Sequence, residues 1–271
     1  MQAAILAGGL GMRLRPLTYS IPKALVPVRG RPFLEYELEL LSVAGVDDVV
    51  LCVGNLGDKI ENHFGDGKGF GVRIKYSYDG KELLGPIGAL RHAEGLLTDA
   101  FFVTYGDAYL RLDYVALMRE FLNSGKLGSM AVFRNEGRYG KSDVVVKNGR
   151  VVEYNKKTAT PGMVWINFGV TALRKRALSS VSLNTFCDEE SFYGGLVNRR
   201  QLLAFEVNER FYEIGTQDGL RAFGDFIIHK QFALDWVGQP ARSSMSVDVG
   251  VKNHRIGANS LIINWTSVWP Q

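Results

Sequence analysis

Gly8, Gly9 and Gly11 follow a short apolar run, Ala3 to Leu6. Arg13 comes next and, one loop later, Lys23 between Pro22 and Ala24. An apolar run of that length suits a buried strand. Glycines after it let the backbone bend closely around a ligand and leave amide groups facing it. Backbone amides with two fixed cations are what a triphosphate needs, so Leu6 to Val28 reads as a nucleotide-binding loop. Two other glycine-loop chemistries fit less well. A dinucleotide loop needs a third glycine where this chain has Leu14. It also needs a carboxylate ending the second strand, where Val49 to Val53 runs into Gly54-Asn55. A Walker loop needs Gly-Lys-Ser/Thr after the glycines, and none follows. A plain strand-to-helix turn would leave Arg13 and Lys23 unexplained.

The elements that must position this loop follow from periodicity. Strand-like and helix-like segments alternate through the first half, which argues for an open sheet covered by helices, of Rossmann-like α/β type. Pro32 opens a helix with Phe33, Leu34, Tyr36, Leu38, Leu40 and Leu41 on a broad apolar face. Strands are expected at Asp48 to Val53, Val72 to Tyr78 and Phe101 to Tyr105, with helices at Asp58 to Phe64 and Gly88 to Leu97. Asp113 is placed to cap a helix running to Leu122, with Gly125 as its stop. Beyond it, Val144 to Val146 and Val151 to Tyr154 flank Asn148-Gly149, a strong type I′ hairpin signal. Further strands are expected at Val164 to Leu173 and Leu202 to Val207, and a helix at Asp218 to Ile228. The sheet should therefore be mixed, with its late antiparallel strands walling a substrate pocket. The division expected is a domain of residues 1–232 and a packed or dimer-forming extension over 233–271.

Composition excludes several classes. With 271 residues, 46% of them hydrophobic, the chain can bury one large core. No apolar run approaches the ~20 residues that span a bilayer. The N-terminal run breaks at Gly8, unlike a secretion signal. Cys52 and Cys187 make no disulfide framework, so a cytoplasmic protein is expected. A formal charge of +4 permits an anionic ligand without implying nucleic acid, and no basic cluster is interleaved with aromatics. His63, His92, His229 and His254 lack metal-ligand spacing.

The run Leu6 to Val28 resembles the signature of the sugar-1-phosphate nucleotidyltransferases, and the likeness extends to about residue 230. It is supported by Gly106-Asp107, Tyr154-Asn155-Lys156, Asn167-Phe168-Gly169 and Phe211 to Thr216, in that order. The heptose-1-phosphate guanylyltransferases are the branch it most resembles. The resemblance implies transfer of a nucleoside monophosphate from an NTP to a sugar 1-phosphate, with release of pyrophosphate. Leu6, Gly8, Gly9, Gly11, Glu82 and Gly88 would contact the nucleotide, Arg13 the departing phosphates, and Lys23 the α-phosphate. Asp107 and Glu213 would hold Mg²⁺, Lys156 the phosphate of the sugar, and Asn167 and Gly169 the sugar itself. Glu213 stands where many relatives carry Asp.

Glu82 occupies a place where uracil- and thymine-using relatives tend to have Gln. A carboxylate only accepts hydrogen bonds, and guanine and cytosine offer amino groups to it, so GTP is favoured with CTP second. Leu84-Gly85-Pro86-Ile87-Gly88 departs from the family's Leu-Gly-Thr-Ala/Gly-Gly, and Pro86 has no N–H to offer a nucleotide. Asn167 likewise stands where the branch leads one to expect Asp. A cytidylyl- or other nucleotidyltransferase with a different base or phosphate acceptor, and a non-catalytic nucleotide-sugar-binding subunit, are the alternatives left open.

Overall fold

Ala3, Ala4 and Ile5 are wholly buried, as are Val49 to Leu51, which requires their strands to be covered on both faces. The computed structural model describes residues 1–80 and 84–237, with side chains as far as 229. Met1–Lys230 forms one compact unit. Among the described residues one sheet holds nine strands. These are β1 (Gln2–Leu6), β2 (Asp48–Val53), β3 (Arg73–Tyr78), β4 (Ala100–Tyr105), β5 (Gly128–Arg134), β6 (Val144–Lys147), β7 (Arg150–Tyr154), β8 (Trp165–Arg174) and β9 (Leu202–Val207). Their order is β3-β2-β1-β4-β8-β5-β9-β7-β6. The first four run parallel, β8 lies antiparallel to β4 and β5, and β9 returns parallel to β5. The sheet is thus mixed, as expected.

Alternation along the strands sends side chains to two cores. Ala3, Ile5, Val49, Leu51 and Val53 pack with helices α1 (Phe33–Val43), α2 (Gly57–Phe64) and α4 (Tyr114–Ser124). Ala4, Val50 and Cys52 face α3 (Gly85–His92) and α5 (Glu189–Asn198) on the other side. Asp113 caps α4 by accepting the Ala116 amide at 2.8 Å, and Gly125 closes it in the left-handed region. Asn148 and Gly149 both take positive φ, 51° and 68°, as a type I′ turn requires.

A third cluster joins the start of α6 (Gln217–Val237) to the loop after β1. Phe223 is wholly buried, with ring centroids 5.0 Å from Phe33 and 5.5 Å from Tyr36. Removing such a ring costs about 3–5 kcal/mol. Ile214 belongs to this cluster, so the same packing fixes the segment carrying Glu213 and Gly215.

The structure revises one expected helix. The helix expected over Gly88 to Leu97 begins at Gly85 and ends at His92, followed by a 3₁₀ turn, Ala93–Leu96. Pro86 sits in its first turn, where a missing N–H costs nothing, and Ile87 is wholly buried beneath the sheet. Strand β5 and helix α5 occupy stretches for which the sequence carried no assignment. The expected extension, 233–271, lies outside the described residues from 238 onward, and so does its dimer-forming reading.

Candidate functional site

The parallel strands β1, β2, β3 and β4 end side by side, and the loops leaving them form the cleft where ligands collect in open α/β sheets. Leaving β1, Gly8 passes so close to the loop after β2 that a Cβ there would lie 3.2 Å from the Gly54 amide nitrogen and 3.3 Å from Asp79 Oδ2. Gly11 takes φ of +60°, and Thr18 Oγ1 donates to its carbonyl at 2.8 Å, closing the loop on itself. Gly8 and Gly11 thus permit close packing within the loop, whereas a Cβ on Gly9 would meet nothing within 4 Å.

Leaving β4, Gly106 and Asp107 run into a two-residue strand, Ala108–Tyr109, which pairs with Tyr212–Glu213. The Ile214 amide donates to the Asp107 carbonyl at 2.9 Å. This pairing brings the far end of the chain against the glycine loop. A Cβ on Gly215 would lie 2.8 Å from Arg13 Nη2 and 3.3 Å from Lys23 Nζ, so both cations converge on one point. Lys23 Nζ is ion-paired with Asp107 Oδ2. Glu213 is exposed at its surface, yet desolvation, and then the Asp107 charge, hold its carboxyl above the usual range. Lys23, Arg13 and Lys156 act in the opposite direction on it. Two carboxylates and three cations thus share one electrostatic neighbourhood.

A cavity of about 280 Å³ opens in this cleft, lined by Leu6, Gly8, Gly9, Lys23 and Asp107 among others. Asp79, Tyr105, Gly85, Pro86 and Phe186 complete much of its wall. Gly88 is outside that lining; a Cβ on it would lie 2.6 Å from the Thr185 carbonyl, so it permits α3 to pack closely. Glu82 lies outside the described residues. Asp79, passed over in the sequence, is a second carboxylate in the cavity wall beside Asp107. Burial pushes its carboxyl up, and the His92 charge and the Leu84 amide offset part of that. Its signal was position, directly after a parallel strand. The Phe186 ring is 64% exposed at this cavity, an apolar plate open to a planar ligand.

The sugar-side candidates Asn167 and Gly169 lie on β8, and Lys156 stands just after β7. Lys156 Nζ is ion-paired with Glu189 on α5, and its side chain is half exposed. Strand β8 changes register against β5 between Asn167 and Thr171. Gly169 takes φ of +99° there, with Leu110 Cδ1 3.1 Å from where a Cβ would stand. Asn167 Oδ1 accepts the Gly169 amide at 3.0 Å, and the Asn167 amide donates to Asp143 Oδ1 at 2.8 Å. Burial pushes the Asp143 carboxyl up, with Lys156 acting the other way. Asp143 and Glu189 had no signal in the sequence, because nothing local marks them as cleft residues.

Among the described residues no group of three or more His, Cys, Asp or Glu could hold a metal. Asp107 and Glu213 are two carboxylates that act on each other electrostatically, and Mg²⁺ is commonly held by one or two carboxylates together with phosphate oxygens of the substrate. Their mutual repulsion is the electrostatic condition that a cation relieves.

A family model described as nucleotidyl transferase matches residues 2–170. The mannose-1-phosphate guanylyltransferase catalytic subunit beta of Xenopus tropicalis is 33% identical over 221 residues, covering 79% of this chain and 61% of its own. The chain therefore spans about three fifths of the length of that relative. The D-glycero-alpha-D-manno-heptose 1-phosphate guanylyltransferase of Campylobacter jejuni is 30% identical over 219 residues, covering 80% of this chain and 96% of its own. Among solved structures, HddC from Yersinia pseudotuberculosis complexed with GMP-PN superposes with a TM-score of 0.70 at 25% identity. It covers 83% of this chain and 99% of that one.

Proposed function

Given that the chain belongs to the nucleotidyl transferase family, as a sugar-1-phosphate nucleotidyltransferase, we propose that it transfers a guanylyl group from GTP to a manno-configured sugar 1-phosphate. The observation that carries the reading is the convergence of Arg13 and Lys23 on Gly215, with Asp107 and Glu213 beside them. A phosphate oxygen of the sugar 1-phosphate attacks the α-phosphorus of GTP. The bond from that phosphorus to the bridging oxygen of the β-phosphate breaks, and pyrophosphate leaves. The attacking phosphate has a second pKa of about 6, so it is already anionic near neutral pH and needs no general base.

The barrier is the assembly of several like charges in line, and the chain's cations lower it by position. Arg13 neutralises the phosphates that depart. Lys23 meets the charge that develops at the α-phosphate, exchanging Asp107 for it. Lys156, across the cleft, holds the phosphate of the sugar. A Mg²⁺ held by Asp107 and Glu213 would add charge neutralisation at the triphosphate.

Base choice follows from Asp79. Guanine presents N1–H and an amino group side by side, and a carboxylate accepts from both. Uracil lacks the amino donor, and cytosine has the amino group alone. The test is pyrophosphate release across GTP, CTP, UTP, dTTP and ATP, each with hexose and heptose 1-phosphates and with and without Mg²⁺. Metal-dependent turnover with GTP supports the reading. Preference for CTP keeps the reaction and overturns the base, and silence with nucleotide still bound overturns the reaction. Among the described residues no helix is long and apolar enough to cross a membrane.

A further inference from the structure

Glu189 belongs neither to the glycine loop nor to the carboxylate pair, yet three side chains of the cleft converge on it. Its Oε2 accepts from Lys156 Nζ and, at 3.2 Å, from the Tyr154 hydroxyl, while Oε1 accepts from the Tyr105 hydroxyl. The residue is 6% exposed. We propose that Glu189 is a positioning residue, which fixes the Lys156 ammonium where the phosphate of the incoming sugar 1-phosphate must dock. The inference rests on the reading of Lys156 given above.

Several observations support it. A lysine ammonium is a compact charge on a flexible stem with three donors. Pinning one N–H on Glu189 leaves two for a phosphate, and half of the Lys156 side chain stays open to receive one. The carboxylate is itself held in place. It stands in the first turn of α5, whose N-terminus favours an anion, next to Asp188, which caps that helix through the Ser191 amide at 2.8 Å. Tyr105 and Tyr154 serve as donors to it. Their burial, and then the Glu189 charge, push both phenols up, so both stay protonated. Tyr105 also lines the nucleotide cavity and lies two residues before Asp107 on the same strand end. The chain Tyr105–Glu189–Lys156 therefore ties the sugar-phosphate cation to the wall of the nucleotide site. Helix packing alone would be served by an uncharged residue here, since burying a carboxylate is costly without its cation.

The test compares Glu189→Gln, Glu189→Asp, Lys156→Ala and the double variant Lys156→Ala/Glu189→Gln. The readouts are KM for sugar 1-phosphate, KM for GTP, kcat and thermal midpoint. Glu189→Gln is expected to raise the sugar-phosphate KM by about tenfold and to leave the GTP KM within about twofold. Glu189→Asp, which keeps the charge, should fall between, and it carries the test if Glu189→Gln does not fold. The double variant should be no worse than Lys156→Ala alone, because the carboxylate acts through the ammonium. An unchanged or lower sugar-phosphate KM, an equal rise in the GTP KM, or additivity with Lys156→Ala overturns the proposal. If Lys156→Ala itself leaves the sugar-phosphate KM unchanged, it is the reading of Lys156 that fails.

Discussion

Gly215→Ala separates the chemistry from the fold more cleanly than removal of a charged side chain. The added methyl would stand 2.8 Å from Arg13 Nη2 and 3.3 Å from Lys23 Nζ, where ordinary contact begins at 3.4 Å. The guanidinium must then retreat by about 0.6 Å and the ammonium by about 0.1 Å, since steep repulsion forbids closer approach. Both obstructing atoms are the ends of flexible side chains, and Gly215 is not among the glycines at positive φ. The fold should accept the change, with a thermal midpoint within about 2 °C of the parent. Catalysis should not accept it. Misplacement by 1 Å can cost on the order of 10²-fold, so a shift of this size is expected to lower kcat/KM by about tenfold, about 1.4 kcal/mol. Pyrophosphate release measured against GTP concentration, alongside a thermal melt, reads both quantities. Unchanged kcat/KM in a folded variant would refute the claim that these two cations are placed for the triphosphate at Gly215. A loss matched by a large drop in melting temperature would refute the reasoning that the contact is functional rather than architectural.

Lys23→Ala removes the ammonium that meets the developing charge and should lower kcat by about 10²–10³-fold in a folded protein, as loss of one transition-state charge partner does elsewhere. Single-turnover measurement at saturating GTP checks it. Asp79→Asn should reduce GTP kcat/KM by about 10–100-fold while changing that for UTP much less, because the paired donors of the guanine edge lose one of their two acceptors and meet an NH2 instead. Competition between the two nucleotides reads the ratio. Glu37 is 2% exposed, and its Oε2 has no hydrogen-bond partner among the described residues. Burial, and then the Asp107 charge, raise its carboxyl well above the usual value. Folded protein keeps that proton where unfolded chain releases it, so its contribution to stability falls as pH rises above the ordinary carboxyl range, by up to about 1.4 kcal/mol per pH unit. Glu37→Gln should flatten this slope in urea melts between pH 5 and 8, and an unchanged slope would remove Glu37 as its source.

The glycine loop after β1 was legible because its requirements are local. A buried run must end, glycines must follow, and cations must flank them, all within Ala3 to Lys23. The Asp113 cap, the Gly125 stop and the Asn148-Gly149 turn were legible for the same reason. Helix α5 was not. Its sequence holds Gly194 and Gly195, both poor helix formers, and its helicity rests on burial of Phe192, Tyr193 and Leu196. Glu189 was hidden with it. Pro86, read in the sequence as one donor fewer for a nucleotide, stands in the first turn of α3, where its missing N–H costs the helix nothing. Asp79 was not singled out, because only the strand order puts its oxygen beside Gly8 and Gly54. The convergence at Gly215 joins segments some 200 residues apart, through a two-residue strand pair that no local pattern announces.

The central claim is direct nucleotidyl transfer driven by placed cations, and the fate of each phosphate tests it. The protein would be incubated with Mg²⁺, a manno-configured sugar 1-phosphate and GTP radiolabelled at either the α- or the γ-phosphate. The account predicts that the α-label appears in a nucleoside-diphosphate sugar while the γ-label leaves in an equal amount of pyrophosphate. A γ-label recovered on the sugar, or bound GTP with neither label transferred across hexose and heptose 1-phosphates, would contradict it.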